Sequence, residues 1–392
     1  MGLRESDKFG TLAIHAGTHI DIHGSVIEPI SLSTTYKQSS PAEPLGAYEY
    51  SRSSNPNRKN FEDAVAALEK GKYGLAFSSG SATTAIVVQS LPQGSHAVSI
   101  GDVYGGTHRY FTQVANNHGV DTDFTNNLIE DLPKLIKDNT KLVWLESPTN
   151  PTLKVTDIKL VSEIVKTINK DILVVVDNTF SSPYLCNPLT LGADIVVHSA
   201  TKYINGHSDV VLGVLATNNE AIYERLQFLQ NAVGAIPSPF DSWLAHRGLK
   251  TLHLRVTQAA LSATKIAELL SASDKVIAVN YPGLPTHPDY EIVKKQHRDA
   301  LGGGMISFRI KGGAEAAAKF SSSTRLFTLA ESLGGIESLL EVPAVMTHGG
   351  IPKEHREASG VYDDLIRLSV GIEDVDDLLQ DIKEALEAAT AK

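Results

Sequence analysis

Residues 172–176 read ILVVV, and residues 195–197 repeat the motif as IVV. Side chains on a strand alternate between faces, so a short unbroken apolar run belongs to a strand covered on both sides. "HAVSI" and "KLVWLE" are further runs of this kind. Segments with helical spacing lie between them, such as Ile158, Val161, Val165 and Ile168. Strands that alternate with helices imply βαβ units, so the pattern predicts an α/β fold with a mostly parallel sheet.

A chain of 392 residues is long enough for a large core and two domains. Residues 1–60 lack periodicity and are rich in Pro, Ser and Asn, yet they carry Tyr36, Tyr48, Tyr50 and Arg52. This composition predicts an extended arm that docks on another surface. Residues 61–250 hold the strand–helix alternation of a large domain. A long helical pattern over 240–272 leads into 251–392, which reads as a smaller α/β domain. There "MISFRI" and "RLFTLA" read as strands, and "GAEAAAKFSSS" and "DVDDLLQDIKEALEAA" as helices.

With 35 basic and 45 acidic residues the net charge is −10, which argues against nucleic acid and anionic membranes as partners. No apolar run approaches the roughly 18 residues of a membrane span, and the first ten residues lack the apolar stretch of a secretory signal. The single cysteine, Cys186, leaves no pair for an internal disulfide. A reducing, cytoplasmic setting is expected. His198 and His207 have no further ligand at tight spacing, so no metal is expected.

Four features carry chemistry. Ser78-Ser79-Gly80-Ser81-Ala82-Thr83 sits between a strand and a helix, where free amides suit an anion. Neither a P-loop nor a G-x-G-x-x-G is present, which disfavours nucleotides. Asp177 ends its apolar strand, where ligands bind in parallel sheets. Lys202 follows the next strand, between hydroxyl residues Ser199 and Thr201. Tyr104 lies in a polar loop after "HAVSI". Singly these read as a helix cap, a turn acid, an exposed lysine and a loop aromatic. Together they match the needs of pyridoxal 5′-phosphate: a lysine for its aldehyde, an acid for its ring nitrogen, an aromatic to stack on the ring, and amides and hydroxyls for its phosphate.

The blocks "YEYSRSSNPNR", "AFSSGSAT", "DVYGGTHRYF", "ESPTNPTLKVTDI", "VVDNTF", "HSATKYINGHSDVVLG" and "FTLAESLGGIESLLEVPAVMTH" occur in this order along nearly the whole chain. In them the sequence resembles the Cys/Met-metabolism family of pyridoxal-phosphate enzymes, and most of all its fungal cystathionine-cleaving members. The resemblance implies the aspartate aminotransferase-type fold (fold type I, PLP-dependent transferase-like). It implies that Lys202 binds the cofactor covalently, that Asp177 pairs with the ring nitrogen, and that Tyr104 stacks on the ring and acts in catalysis. Gly80 and Ser81 amides, with Ser199 and Thr201, hold the phosphate. Tyr50 and Arg52 reach the phosphate of a neighbouring subunit's cofactor, which makes residues 1–60 a subunit-contacting arm. A homotetramer, a dimer of dimers with active sites shared across each dimer, follows. Arg367 grips the α-carboxylate of an amino-acid substrate, with Asn150 and Ser332 as helpers. Many relatives carry Met where this chain has Ser81; an amide contact tolerates that change.

The resemblance implies γ-elimination of L-cystathionine to L-cysteine, 2-oxobutanoate and ammonia, with cystathionine γ-synthase or cystathionine β-lyase activity as alternatives on the same scaffold. Two positions bear on the choice. Methionine-cleaving relatives carry a cysteine in the tyrosine loop, where this chain has Gly106. Relatives that cleave at Cβ tend to carry an aromatic at the position of Glu331. An acid there could meet the distal amino group of cystathionine, with help from Glu49.

Overall fold

The apolar runs become the inner strands of a seven-stranded sheet. A computed structural model describes residues 3–4, 6–18, 23–350 and 352–391. Residues 1, 2, 5 and 19–22 of the expected arm lie outside the described residues. In chain order the strands are a short antiparallel hairpin, β1 (Gln38–Ser40) and β2 (Glu43–Pro44), then β3 (Tyr73–Phe77), β4 (His96–Ile100), β5 (Asp121–Thr125), β6 (Thr140–Glu146), β7 (Leu173–Asp177), β8 (Ile195–Ser199) and β9 (Gly213–Thr217). The large sheet has the order β3-β9-β8-β7-β6-β4-β5. Only β9 runs against its neighbours; the other pairs are parallel. Val174, Val175, Val176, Ile195 and Val196 are completely buried, as double-sided cover requires. Register aligns Glu146 with Asp177 and Asp177 with Val197. The carboxyl ends of β6, β7 and β8 therefore open on one edge.

The arm lies along its own chain before it turns outward. Asn57, in the helix Pro56–Leu68, accepts from Ser31 N at 2.8 Å and donates to Pro29 O at 2.9 Å. Glu28 accepts from Trp243 Nε1 through its carbonyl and pairs with His246 Nδ1 at 2.8 Å. Val26, Leu32 and Leu45 nevertheless stand exposed.

The second sheet contains β10 (Val276–Asn280), β11 (Met305–Ile310), β12 (Thr328–Leu329), β13 (Leu339–Glu341) and β14 (Leu365–Ser369), in the order β10-β11-β14-β13-β12. "MISFRI" forms β11, and the two predicted helices form Gly313–Ser323 and Val375–Thr390. "RLFTLA" shrinks to the two residues of β12. Its first amides leave the ladder, because Arg325, Leu326 and Phe327 donate to the buried Asp381 carboxyl at 2.7, 2.8 and 3.2 Å.

The helical pattern over 240–272 breaks into Pro239–Leu249 and Leu252–Ala272. The break is tied by Arg255, which donates to Gly248 O at 2.8 Å and to Tyr203 O at 2.7 Å. A Cβ on Gly248 would lie 2.2 Å from Asn205 O, so only glycine lets the chain pass here. Leu252 and Val256 pack with Tyr203 and Ile204, whereas Ala263, Ile266 and Leu270 pack with Phe308 and Phe320. One helix thus spans two cores. No described helix is long and apolar enough to cross a membrane.

Trp144 fills the centre of the large sheet at 0% exposure, edge-on to Phe111 with centroids 5.8 Å apart. Its Nε1 has no hydrogen-bond partner among the described residues. Trp144→Ala is expected to cost about 3–5 kcal/mol in denaturant unfolding. Trp144→Phe should cost clearly less, because it keeps a ring and removes an unpaired buried N–H. Equal losses for the two variants would contradict this account.

Candidate active site

The predicted anion cradle forms at the start of the helix Gly80–Gln89. Ser79 caps it, accepting from Ala82 N at 3.0 Å. That leaves the Gly80 and Ser81 amides of the first turn without an acceptor among the described residues, at the positive end of the helix. A Cβ on Gly80 would lie 3.0 Å from Ser199 Cβ, so the helix start abuts the end of β8. Beneath it, a Cβ on Gly213 would lie 2.2 Å from Ser79 O. Thr201 exchanges hydrogen bonds with Leu212, which pins the loop after β8 against the start of β9.

Asp177 Oδ1 accepts from Thr179 N at 3.0 Å. Burial pushes this carboxyl up from its ordinary value, and no cation among the described residues lies within ion-pair distance of it. Glu146, its neighbour on β6, accepts from Tyr104 N at 2.9 Å. Burial, and then the nearby Asp177, hold Glu146 well above the usual carboxylate range. Lys202 Nζ donates to Ser332 Oγ at 2.8 Å. Burial, with help from the charge on Arg367, lowers this amine to about 8. Ser332 has φ 96°, a strained value for a serine, and presents its hydroxyl to the lysine.

Arg367 comes from β14 and is buried. Its Nη1 donates to Asn150 Oδ1 at 2.9 Å and its Nη2 to Ser332 O at 2.9 Å. Glu341 Oε2 lies 3.0 Å from Nη2, while Arg367 Nε has no partner among the described residues. Tyr104 begins the short helix Gly105–Arg109, and its ring covers Gly106, where a Cβ would lie 2.4 Å from Tyr104 Cε1. A cysteine at position 106 would therefore displace this ring.

One cavity of about 340 Å³ gathers Gly80, Ser81, Tyr104, Asp177, Lys202 and Arg367. Asn150, Ser199, Thr201, Glu331 and Ser332 complete the predicted residues on its wall. A wider outer cavity of about 730 Å³ shares Tyr104 and Glu331 and adds Arg109. Glu49, Tyr50 and Arg52 line neither cavity. Arg52 instead donates to Asn231 Oδ1 at 3.2 Å and lies over the Tyr50 ring. Reading the sequence missed Glu146, Thr179, Glu341 and Arg109. Glu146 was within reach, since it ends an apolar strand as Asp177 does; the other three carry no such mark.

The residues fit pyridoxal phosphate on this chain's own geometry. Unused amides face the cavity at a helix start, and a buried carboxyl awaits a cation. A lysine of lowered basicity stands beside them. The family model for Cys/Met metabolism PLP-dependent enzymes matches residues 10–387, and the chain belongs to that family. It is 79% identical over 393 residues to a cystathionine gamma-lyase of Saccharomyces cerevisiae, covering 100% of both chains. It is 54% identical to a cystathionine gamma-lyase of Dictyostelium discoideum, covering 97% of this chain and 98% of that one. Among solved structures, a yeast cystathionine gamma-lyase superposes with a TM-score of 0.97 at 79% identity, over 99% of this chain and 100% of that chain. The α/β fold of the PLP-dependent class and its cofactor are thereby shown.

The lowered basicity of Lys202 can be measured without catalysis. In cofactor-free protein, amine labelling followed by mass spectrometry should give half-maximal modification of Lys202 near pH 8. Exposed lysines should reach theirs more than a unit higher, near their ordinary value. Coincident profiles would show that burial does not tune this amine.

Proposed function

We propose that this chain cleaves L-cystathionine at the Cγ–S bond, yielding L-cysteine, 2-oxobutanoate and ammonia. The observation that carries this reading is the full-length 79% identity to a cystathionine gamma-lyase. Lys202 would attach pyridoxal 5′-phosphate through Nζ. Asp177 would face the ring nitrogen, and Tyr104 would stack on the ring. Gly80, Ser81, Ser199 and Thr201 would hold the phosphate. When bound, the cofactor supplies an electron sink for the pair released at the substrate Cα.

The chain's residues do the rest. Arg367 Nε, unpartnered and buried, offers an N–H to the substrate α-carboxylate; Asn150 and Ser332 keep the guanidinium in place. Lys202 Nζ, with a pKa near 8, is neutral often enough at physiological pH to take the Cα proton. Ser332 Oγ steadies it between transfers. Lys202 Nζ, once it has given up the first proton, would accept one from Cβ as cysteine thiolate leaves Cγ, and the Tyr104 hydroxyl or the recharged Lys202 would protonate the sulfur. Water completes release of ammonia from the four-carbon fragment. In the outer cavity Glu331 and Arg109 place opposite charges where the distal amino and carboxylate groups of cystathionine would sit.

The arm fits a role in assembly. Tyr50 and Arg52 do not line their own cavity, and the arm exposes Val26 and Leu45. Residues 1–60 would therefore form a subunit-contacting arm, 61–250 the cofactor domain and 251–392 the smaller domain. Tyr50 and Arg52, with Glu49 beside them, would enter the neighbouring subunit's site, in a homotetramer built as a dimer of dimers in the cytoplasm.

Incubation of purified protein with L-cystathionine should yield 2-oxobutanoate; pyruvate as the main keto acid would overturn γ-cleavage. Lys202→Ala should lower kcat roughly 10²–10⁴-fold, and Arg367→Lys should raise KM about tenfold or more. Mixed assembly of Arg52→Ala with Lys202→Ala subunits should regain activity that neither has alone. Failure to regain any would place Arg52 outside a shared site.

A further inference from the structure

Glu69 follows the helix Pro56–Leu68 and is completely buried, yet no step above uses it. Its carboxyl accepts from three side chains. His198 Nε2 lies 2.6 Å from Oε1 and Asn178 Nδ2 3.0 Å from the same oxygen, while Asn187 Nδ2 lies 3.3 Å from Oε2. Two of these donors adjoin the cofactor residues: Asn178 follows Asp177, and His198 precedes Ser199. Asn178 and His198 are themselves buried.

The ends of β7 and β8 are thus tied twice. Thr179 ties them within the site, donating its amide to Asp177 Oδ1 and accepting from Ser199 N at 2.9 Å. Glu69 ties the next residue of each segment from a different part of the chain. Asn178 also donates through Nδ2 to Cys186 O at 2.9 Å, and its amide donates to Val197 O at 3.0 Å. Among the described residues no Lys or Arg lies within ion-pair distance of Glu69. An acid buried with no Lys or Arg beside it is costlier than an apolar residue of the same size. Its place at the strand ends points to a role that shape alone does not supply.

We propose that Glu69 is a positioning residue of the cofactor site. It clamps Asn178 and His198, so that Asp177 and the segment bearing Ser199, Thr201 and Lys202 keep the spacing that one cofactor demands. This rests on the cofactor roles given above to Asp177, Ser199 and Lys202. Glu69→Gln tests it at constant volume. Three donors converge on two oxygens, and replacing one oxygen by NH₂ turns at least one contact into donor facing donor.

The experiment measures the dissociation constant of pyridoxal 5′-phosphate and the circular dichroism of its bound absorption band. Unfolding of the cofactor-free protein is followed alongside. Asp381→Asn serves as the comparison, since it weakens a buried acid that caps Arg325, Leu326 and Phe327, none of which lines the cavity. Glu69→Gln should weaken cofactor binding roughly tenfold or more and reduce the dichroism of the band. Asp381→Asn should lower Tm and leave both readings at the wild-type level. If Glu69→Gln does not fold, Asn178→Ala, at a position off the cavity wall, removes one clamp donor and should give the same signature. Wild-type affinity and dichroism in the clamp variant, or losses no larger than those of Asp381→Asn at equal Tm, would overturn the proposal. Wild-type protein that binds no cofactor would overturn the cofactor roles as well.

Discussion

Charge buried at the carboxyl ends of parallel strands is the constraint on which the site depends. Asp177 and Glu146 end adjacent strands, and Lys202, Arg367 and Glu341 close over them. Water cannot solvate these groups well, so each shifts toward its neutral form. Burial raises Asp177, Glu146 and Glu341 and lowers Lys202. Ligands bring the missing charges. In the proposed roles, a protonated ring nitrogen would meet Asp177, and a substrate carboxylate would meet Arg367. The burial that opposes folding of the empty site therefore strengthens attraction to ligands of complementary charge.

The two sheets contribute differently. β7, β8, the helix Gly80–Gln89 and the loops after β4 and β8 hold the cavity residues proposed for the cofactor. β14 and the segment before β13 hold Arg367, Glu331 and Ser332, three of the residues proposed for the substrate. Contact between the halves is direct, through Lys202 to Ser332 and Arg367 to Asn150. The helix Leu252–Ala272, whose two ends lie in different cores, fixes their separation.

This division explains what could be read from the sequence. Asp177, Lys202 and the Ser79-Gly80-Ser81 turn declare themselves locally, because each sits just past an apolar strand. Arg367 lies inside the strand segment "LIRLS", and nothing near it in the chain marks it as functional. It entered only through family resemblance, because its partners Asn150 and Glu341 are brought to it by tertiary folding. Glu341 and Thr179 were overlooked for the same reason: their value lies in contacts across strands. Fold-level misreadings share this origin. "RLFTLA" has the composition of a strand, but Asp381, more than fifty residues away, takes its amides. The pattern over 240–272 is helical throughout, but the approach of Gly248 to Asn205 and the bonds of Arg255 break it. The reversed direction of β9 leaves no trace in the composition of "GVLAT".

The same division bears on reaction choice. Residues that fix the cofactor set which bond at Cα is activated, and these are the residues with local signatures. Groups that decide between Cβ and Cγ chemistry must touch the distal part of the substrate, several bonds away. In the proposed reading that region is the outer cavity, which Arg109 and Glu331, far apart in the chain, both line. A change there leaves the cradle, Asp177 and Lys202 untouched. Cofactor motifs therefore identify the chemistry of the family, while the particular substrate is written in long-range pairs that no local pattern carries.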